Sequence, residues 1–161
     1  MRAVSDSSTL ICFAILGRLD LLERLFDAIM VPQQVFNEVT APGRPYADDI
    51  ANFLRDRIVN AQNAMAVNML CLDIDRGEAE SIVLSLEQKS DVILMDDAKG
   101  RKVAYRQGLR PVGTIGILLN AKGKGHVPLI KPLLDTLITS NIRISEDLYR
   151  EALELAGETN A

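Results

Sequence analysis

The segment Gly77–Gly108, GEAESIVLSLEQKSDVILMDDAKGRKVAYRQG, decides the fold. Ala79, Ile82, Val83 and Leu86 recur at helical spacing, so Gly77–Lys89 reads as an amphipathic helix. Asp91–Met95 then reads as a strand whose apolar run is continuous rather than alternating, the pattern of burial on both faces. Asp97–Gln107 is again helical, with Gly108 as its stop. A strand buried on both faces needs helices above and below it, which is the condition of a parallel sheet in an α/β protein.

The alternation extends in both directions. Upstream, Arg2–Asp6 is a short strand followed by a helix over Ser8–Leu16, with Gly17 just past its end. Asp20–Phe26 is a second helix and Ala28–Val31 a buried strand. Pro32 suits the first position of a helix running to about Thr40, and Ala41-Pro42-Gly43-Arg44-Pro45 breaks it into a loop. Tyr46–Arg57 is a helix with Ile50, Phe53 and Leu54 on one side. Residues 59–74 read as a helix and then a short strand at Leu70–Ile74. Downstream, Arg110–Gly113 is a strand, and Thr114–Ala121 and Leu129–Ser140 are helices. Ile142–Ile144 is a short strand, and Ser145 caps a terminal helix ending near Gly157. The expectation is a single domain over residues 1–161, with its core at about 2–145 and a C-terminal helix at about 146–157.

Composition agrees with helices packed on a parallel sheet. Of 161 residues 48% are hydrophobic and only 4% aromatic, so the core is aliphatic and large enough to need no disulfide. Cys12 and Cys71 lack a CxxC spacing and read as small buried hydrophobes in a reducing compartment. His126 is the only histidine, which excludes a His/Cys zinc set. The longest apolar run, Leu10–Leu16, is too short to span a bilayer and has no basic flank of the signal-peptide kind. A cytoplasmic protein without a membrane partner is expected. The net charge of −4 hides an asymmetry: Lys99–Lys124 holds seven basic residues and no acid. Such a stretch is either a solvated helix face or a local phosphate-binding surface.

Ligands of open α/β sheets sit at the carboxyl ends of the strands, so acids placed there are the candidates for chemistry. Asp6 ends the first strand, Asp96 and Asp97 end Asp91–Met95, Glu78 opens the next helix upstream, and Glu38 lies on the helix begun by Pro32. Each has a plain alternative: a helix cap for Asp6, a helix-dipole acid for Glu78, an exposed side chain for Glu38. The adjacent pair Asp96-Asp97 is harder to explain away, since one can cap a helix while the other is free to hold a cation. Glu78 and Glu80 stand about 200° apart on a helical wheel, so only one can face a common site. Glu78 is chosen because it lies nearer the strand ends, and Glu80 is held in reserve. Hard cations such as Mg²⁺ or Mn²⁺ take oxygen ligands, and clustered carboxylates without one repel each other. Ser7, Ser8, Thr9 and Thr114 are short hydroxyls at element starts that can orient a carboxylate or cap a helix.

In order along the chain stand Asp6-Ser7-Ser8, then Val31-Pro32-Gln33-Gln34-Val35-Phe36-Asn37-Glu38, then Gly77-Glu78-Ala79-Glu80. Leu94-Met95-Asp96-Asp97 with Arg101 follows, and then Val112-Gly113-Thr114-Ile115-Gly116. This series resembles PIN domains, and more closely a PIN-like family of nucleic-acid-binding proteins linked to toxin–antitoxin pairs, akin to VapC toxins; it covers roughly residues 2–145. The resemblance implies a three-layer α/β/α fold with a central parallel sheet and Mg²⁺- or Mn²⁺-dependent RNA cleavage. It places Asp6, Glu38, Glu78 and Asp97 as the catalytic acids, with Asp6, Glu78, Asp96 and Asp97 as the metal-binding set and Asp96 an alternative to Asp97. It also implies a homodimer and an antitoxin partner. The third acid is Asp in most members where Glu78 stands here, and a Thr-x-Asp string is replaced by Met95-Asp96-Asp97. Arg101, Lys102 and Arg106, on the helix after the acid pair, are the candidates for holding RNA phosphates, with Ser7 and Thr114 as supporting hydroxyls.

A haloacid-dehalogenase phosphatase needs a second Asp two residues after the first, where Ser8 stands, and a receiver domain wants its acid pair near the first strand. The rival from another class is a non-catalytic PIN-like module that binds RNA or protein.

Overall fold

In the computed structural model, which describes residues 1–159, four short parallel strands form one sheet in the order β2-β1-β3-β4. They are β1 (Arg2–Ser5), β2 (Ala28–Met30), β3 (Val92–Leu94) and β4 (Pro111–Val112). β1 pairs with β2 through Ala3 and Ile29, and with β3 through Val4 and Ile93. The chain leaves β1 towards β2 on one side and returns as β3 on the other. The junction of β1 and β3 is therefore the topological switch point, where a crevice opens beyond the carboxyl ends of the strands.

The doubly buried reading of the central strand holds residue by residue. Val92 and Leu94 point into one aliphatic core, and Ile93 and Met95 into another on the opposite face. The larger core lies beneath α1 (Ser7–Ile15), α2 (Asp20–Leu25), α3 (Gln33–Val39), α4 (Ala47–Leu54), α8 (Thr114–Gly123), α9 (Lys131–Thr139) and α10 (Glu146–Ala156). The smaller lies beneath α5 (Ala64–Leu70), α6 (Arg76–Gln88) and α7 (Ala98–Arg106). Helix, sheet and helix make the expected three layers. Phe13, Leu10, Leu21 and Leu22 are wholly buried at the centre of the larger core.

Two expected strands are absent. Leu70–Ile74 is the end of α5 and a turn, closed by the Ile74 N–H on the Leu70 carbonyl at 3.1 Å. Ile142–Ile144 pairs with nothing; its first N–H bonds back to Leu137 at 3.0 Å, finishing α9. Conversely, Val31 and Ile58 form a parallel bridge beside β2 that the sequence does not announce. Pro32 sits one position earlier than expected, as the N-cap residue of α3, and Tyr46 precedes α4 with a left-handed φ of 64°. Gly17, Gly108 and Gly157 all have positive φ after their helices, as chain stops require.

Candidate active site

The strand ends set the site. The Asp6 N–H extends the β1–β3 ladder by bonding the Leu94 carbonyl at 2.9 Å, which fixes Asp6 at the switch point, just beyond the carboxyl end of β1. Asp6 occupies the N-cap position of α1, but its side chain caps nothing. The residue is only 5% exposed, and Asp75, Glu38 and Asp97 are close enough to act on its carboxyl. Burial, with Asp75, Glu38 and Asp97 adding repulsion, raises it from the ordinary 3.8 to about 7, against the lowering effect of the Ser7 N–H.

Glu78 reaches the same place from α6. Asp75 caps that helix, accepting the Glu78 N–H at 2.8 Å, and so puts Glu78 in the first turn. Glu78 is 7% exposed, and its Oε2 has no hydrogen-bond partner among the described residues. Burial, then the carboxylates of Asp75, Asp97 and Asp6, push it far above the usual carboxylate range. An ionised oxygen left so is costly, and native interiors rarely tolerate one without a role. Glu80 is half-buried and lies 3.8 Å from Arg76. Of the two glutamates that the helical wheel leaves open, Glu78 is the one on whose charge Asp97 and Asp6 act.

The remaining acids are held rather than orphaned. Glu38, half-buried on α3, accepts from Ser7 Oγ at 2.7 Å and from Gln34 Nε2 at 3.2 Å. Asp97 caps α7 through the Gly100 N–H at 2.9 Å, and its charge acts on both Asp6 and Glu78. Asp96 turns the other way. It accepts the Thr114 N–H at 2.7 Å, the Thr114 hydroxyl at 2.6 Å and the Thr9 hydroxyl at 3.2 Å. It is therefore a bracket between α1, α8 and the end of β3. Asp75, which the sequence reading did not single out, belongs to the acid group; the Asp-x-x-Glu spacing of a capping box at residues 75–78 was its signal.

Three glycines make the close approaches possible. A Cβ on Gly77 would lie 2.6 Å from Glu38 Oε1, and one on Gly100 would meet Glu78 Oε2 and, at 2.7 Å, Met95 Sδ. A Cβ on Gly113 would lie 2.8 Å from Arg101 Nη1 and 2.9 Å from Asp96 Oδ1. Arg101 itself is half-buried, donating to the Met95 carbonyl at 3.1 Å. Lys102 is exposed beside it, while Arg106 sits in the last turn of α7, at the end away from the acids.

Among the described residues no three Asp, Glu, His or Cys side chains stand close enough together to hold a metal ion between them. The donors nonetheless fit a hard divalent cation. All are carboxylate oxygens, one of them buried and unpartnered, and their mutual repulsion asks for positive charge. Mg²⁺ in particular is held by one or two carboxylates with waters completing its shell, so a closed cage is not required.

The sequence model of a family described as a PIN domain matches residues 2–158. No curated protein and no solved structure matches the chain.

Proposed function

On the premise that the chain belongs to the PIN-domain family, we propose that it is a divalent-cation-dependent ribonuclease whose site is built on Asp6, Glu38, Glu78 and Asp97. The observation that carries this reading is the buried Asp6–Glu78 pair at the switch point, with one Glu78 oxygen buried and without a hydrogen-bond partner among the described residues. Bound there, Mg²⁺ or Mn²⁺ would supply Lewis-acid stabilisation of a phosphodiester and lower the pKa of an attacking water. Asp6 and Glu78 would hold the cation. Asp97 would complete the acid wall from the start of α7, and Ser7 would keep the Glu38 carboxylate turned inward. Arg101 and Lys102 would hold RNA phosphates, with Arg106 joining only for a longer strand. The same reading makes the chain a toxin-like member of a toxin–antitoxin pair, cytoplasmic and homodimeric.

The test is cleavage of total cellular RNA by the full chain with Mn²⁺ or Mg²⁺, with EDTA, and with Asp6→Asn. Metal-dependent, discrete fragments that vanish in the variant are expected. A second reading, a non-catalytic RNA- or protein-binding module, is favoured by one observation: Glu38 and Asp97 are already satisfied by protein donors. A well-folded protein that cleaves no RNA and whose melting temperature does not move with Mn²⁺ would establish that alternative.

A further inference from the structure

The turns that follow β1 and β3 each send neighbouring residues to opposite sides. Ser7 bonds Glu38 in the acid group, whereas Ser8 Oγ accepts the Asp96 N–H at 3.4 Å. Asp97 acts on Asp6 and Glu78, whereas Asp96 bonds Thr114 and Thr9. On this second side lies a cleft of about 340 Å³. Its polar part is Ser8, Asp96 and Thr114, and its aliphatic walls include Ile11, Ile115, Ile144 and Leu148. Consecutive Cα atoms are about 3.8 Å apart, so the cleft begins one residue's width from the acids. Arg143 stands at its edge, exposed and without a carboxylate within 4.0 Å among the described residues.

We propose that this cleft takes a base of single-stranded RNA adjacent to the phosphodiester at the acid group, with Arg143 on a neighbouring phosphate. The inference rests on the ribonuclease reading of the acids. The aliphatic walls suit the faces of an unstacked base, and nucleobase pockets combine apolar faces with hydrogen bonding at one edge. Ser8 supplies a hydroxyl donor. Asp96 supplies an acceptor: its Oδ1 takes only the Thr114 N–H and keeps a free lone pair. An apolar helix of a partner protein fits the chemistry less well, because seating it would strip water from a carboxylate whose partners are neutral hydroxyls and an amide. A base brings hydrogen-bond donors to that carboxylate, and a phosphate brings charge to Arg143.

The test is fluorescence-anisotropy binding of eight-nucleotide homopolymer RNAs to the full chain, in the Asp6→Asn background so that the RNA survives. Leu148→Glu and Arg143→Ala are added separately, both at exposed positions that the fold can lose. Leu148→Glu is expected to weaken binding about tenfold and to level the differences between A, C, G and U oligomers. Arg143→Ala is expected to lower the slope of log affinity against log salt by about 0.7. Leu148→Glu binding all four oligomers as the parent does, with an unchanged melting temperature, would overturn the proposal. So would a Leu148→Glu chain that binds RNA normally but changes its oligomeric state on sizing, which would assign the cleft to a protein surface. The two readings separate in the Asp6-intact protein. Cleavage with unaltered base preference in Leu148→Glu refutes the cleft alone. RNA bound through the cleft but never cut refutes the ribonuclease and leaves the cleft standing.

Discussion

Burying Asp6 beside Asp75, Glu38 and Asp97 costs the folded chain stability whenever that carboxyl must be charged. Its proton leaves at about 7 in the folded state and at about 3.8 in an unfolded chain, so between those values the folded state binds more proton. Metal-free stability therefore falls as pH rises through that window, by at most about 4 kcal/mol from this group. Glu78, shifted in the same direction, extends the loss to higher pH. Asp6→Asn removes the charge, so this variant should be more stable than the parent at pH 8 in EDTA and nearly equal to it near pH 4, as read by urea melts. It should also lose most of any Mn²⁺-induced rise in melting temperature. A variant weaker than the parent at pH 8 would mean that Asp6 is held by contacts not seen here. At the same scale Glu78 and Glu80 separate cleanly. Glu78→Gln should lower RNA cleavage by about 100-fold or more, while Glu80→Gln, which loses only a long 3.8 Å pair with the exposed Arg76, should stay within about twofold. Steady-state cleavage of one fluorogenic RNA substrate by both variants decides the matter.

Helix α6 carries Glu78 and Asp97 opens α7, and glycines on these two helices set how near the acids come. An alanine in a helix normally stabilises by about 0.5–1 kcal/mol over glycine. Gly77→Ala would set its methyl 2.6 Å from the Glu38 carboxylate, a flexible tip that can move aside. The expected result is an unchanged or slightly raised melting temperature with cleavage lowered at least about tenfold, since a misplacement of about 1 Å can cost a hundredfold. Gly100→Ala meets the buried Met95 sulfur as well as Glu78, and should lose stability too. The elements of residues 77–108 were legible because a 3.6 period is followed by an apolar run too short for a helix and flanked by polar residues on both sides. Leu70–Ile74 misled because Leu70, Leu72 and Ile74 alternate like a strand. In the fold, Leu70 closes α5, Leu72 is exposed, and Asp75 already caps α6, leaving no length to pair. Ile142 and Ile144 alternate likewise, but instead of joining the sheet they wall the cleft. Among the acids, strand-end position singled out Asp6 and the Asp96-Asp97 pair as candidates. That Asp96 bonds Thr114 while Asp97 caps α7 depends on a long-range partner that no local pattern reveals.

At the scale of the whole molecule, the last helix is not an appendage. Glu158, just past α10, is 5% exposed in its side chain and bonds Lys122 of α8 at 2.9 Å. Its two oxygens also take the N–H groups of Ile130 and Lys131 at the start of α9, at 2.8 and 3.0 Å. Burial raises its pKa, but these two amides and Lys122 outweigh burial and hold the carboxyl below the ordinary 4.5. The stability it supplies is thus present above about pH 4.5 and is lost as pH falls through its folded value. α10 carries Leu148 into the cleft wall, so this clasp holds the wall against α1 and α8 from a residue 61 positions beyond Asp97 in the sequence. Glu158→Gln keeps the shape and weakens the charge-assisted bonds, which should cost about 2 kcal/mol near pH 7 and less below pH 4. For a chain of this size that is a fall of roughly 4–8 °C in melting temperature. The acids do not touch Glu158, so Mn²⁺ should raise the melting temperature of the variant by as much as it raises the parent's. If the cleft holds a base, the variant's KM for RNA should rise while kcat changes little. A fall in kcat with KM unchanged would mean instead that α10 bears on the acids themselves and that the cleft has no part in binding substrate.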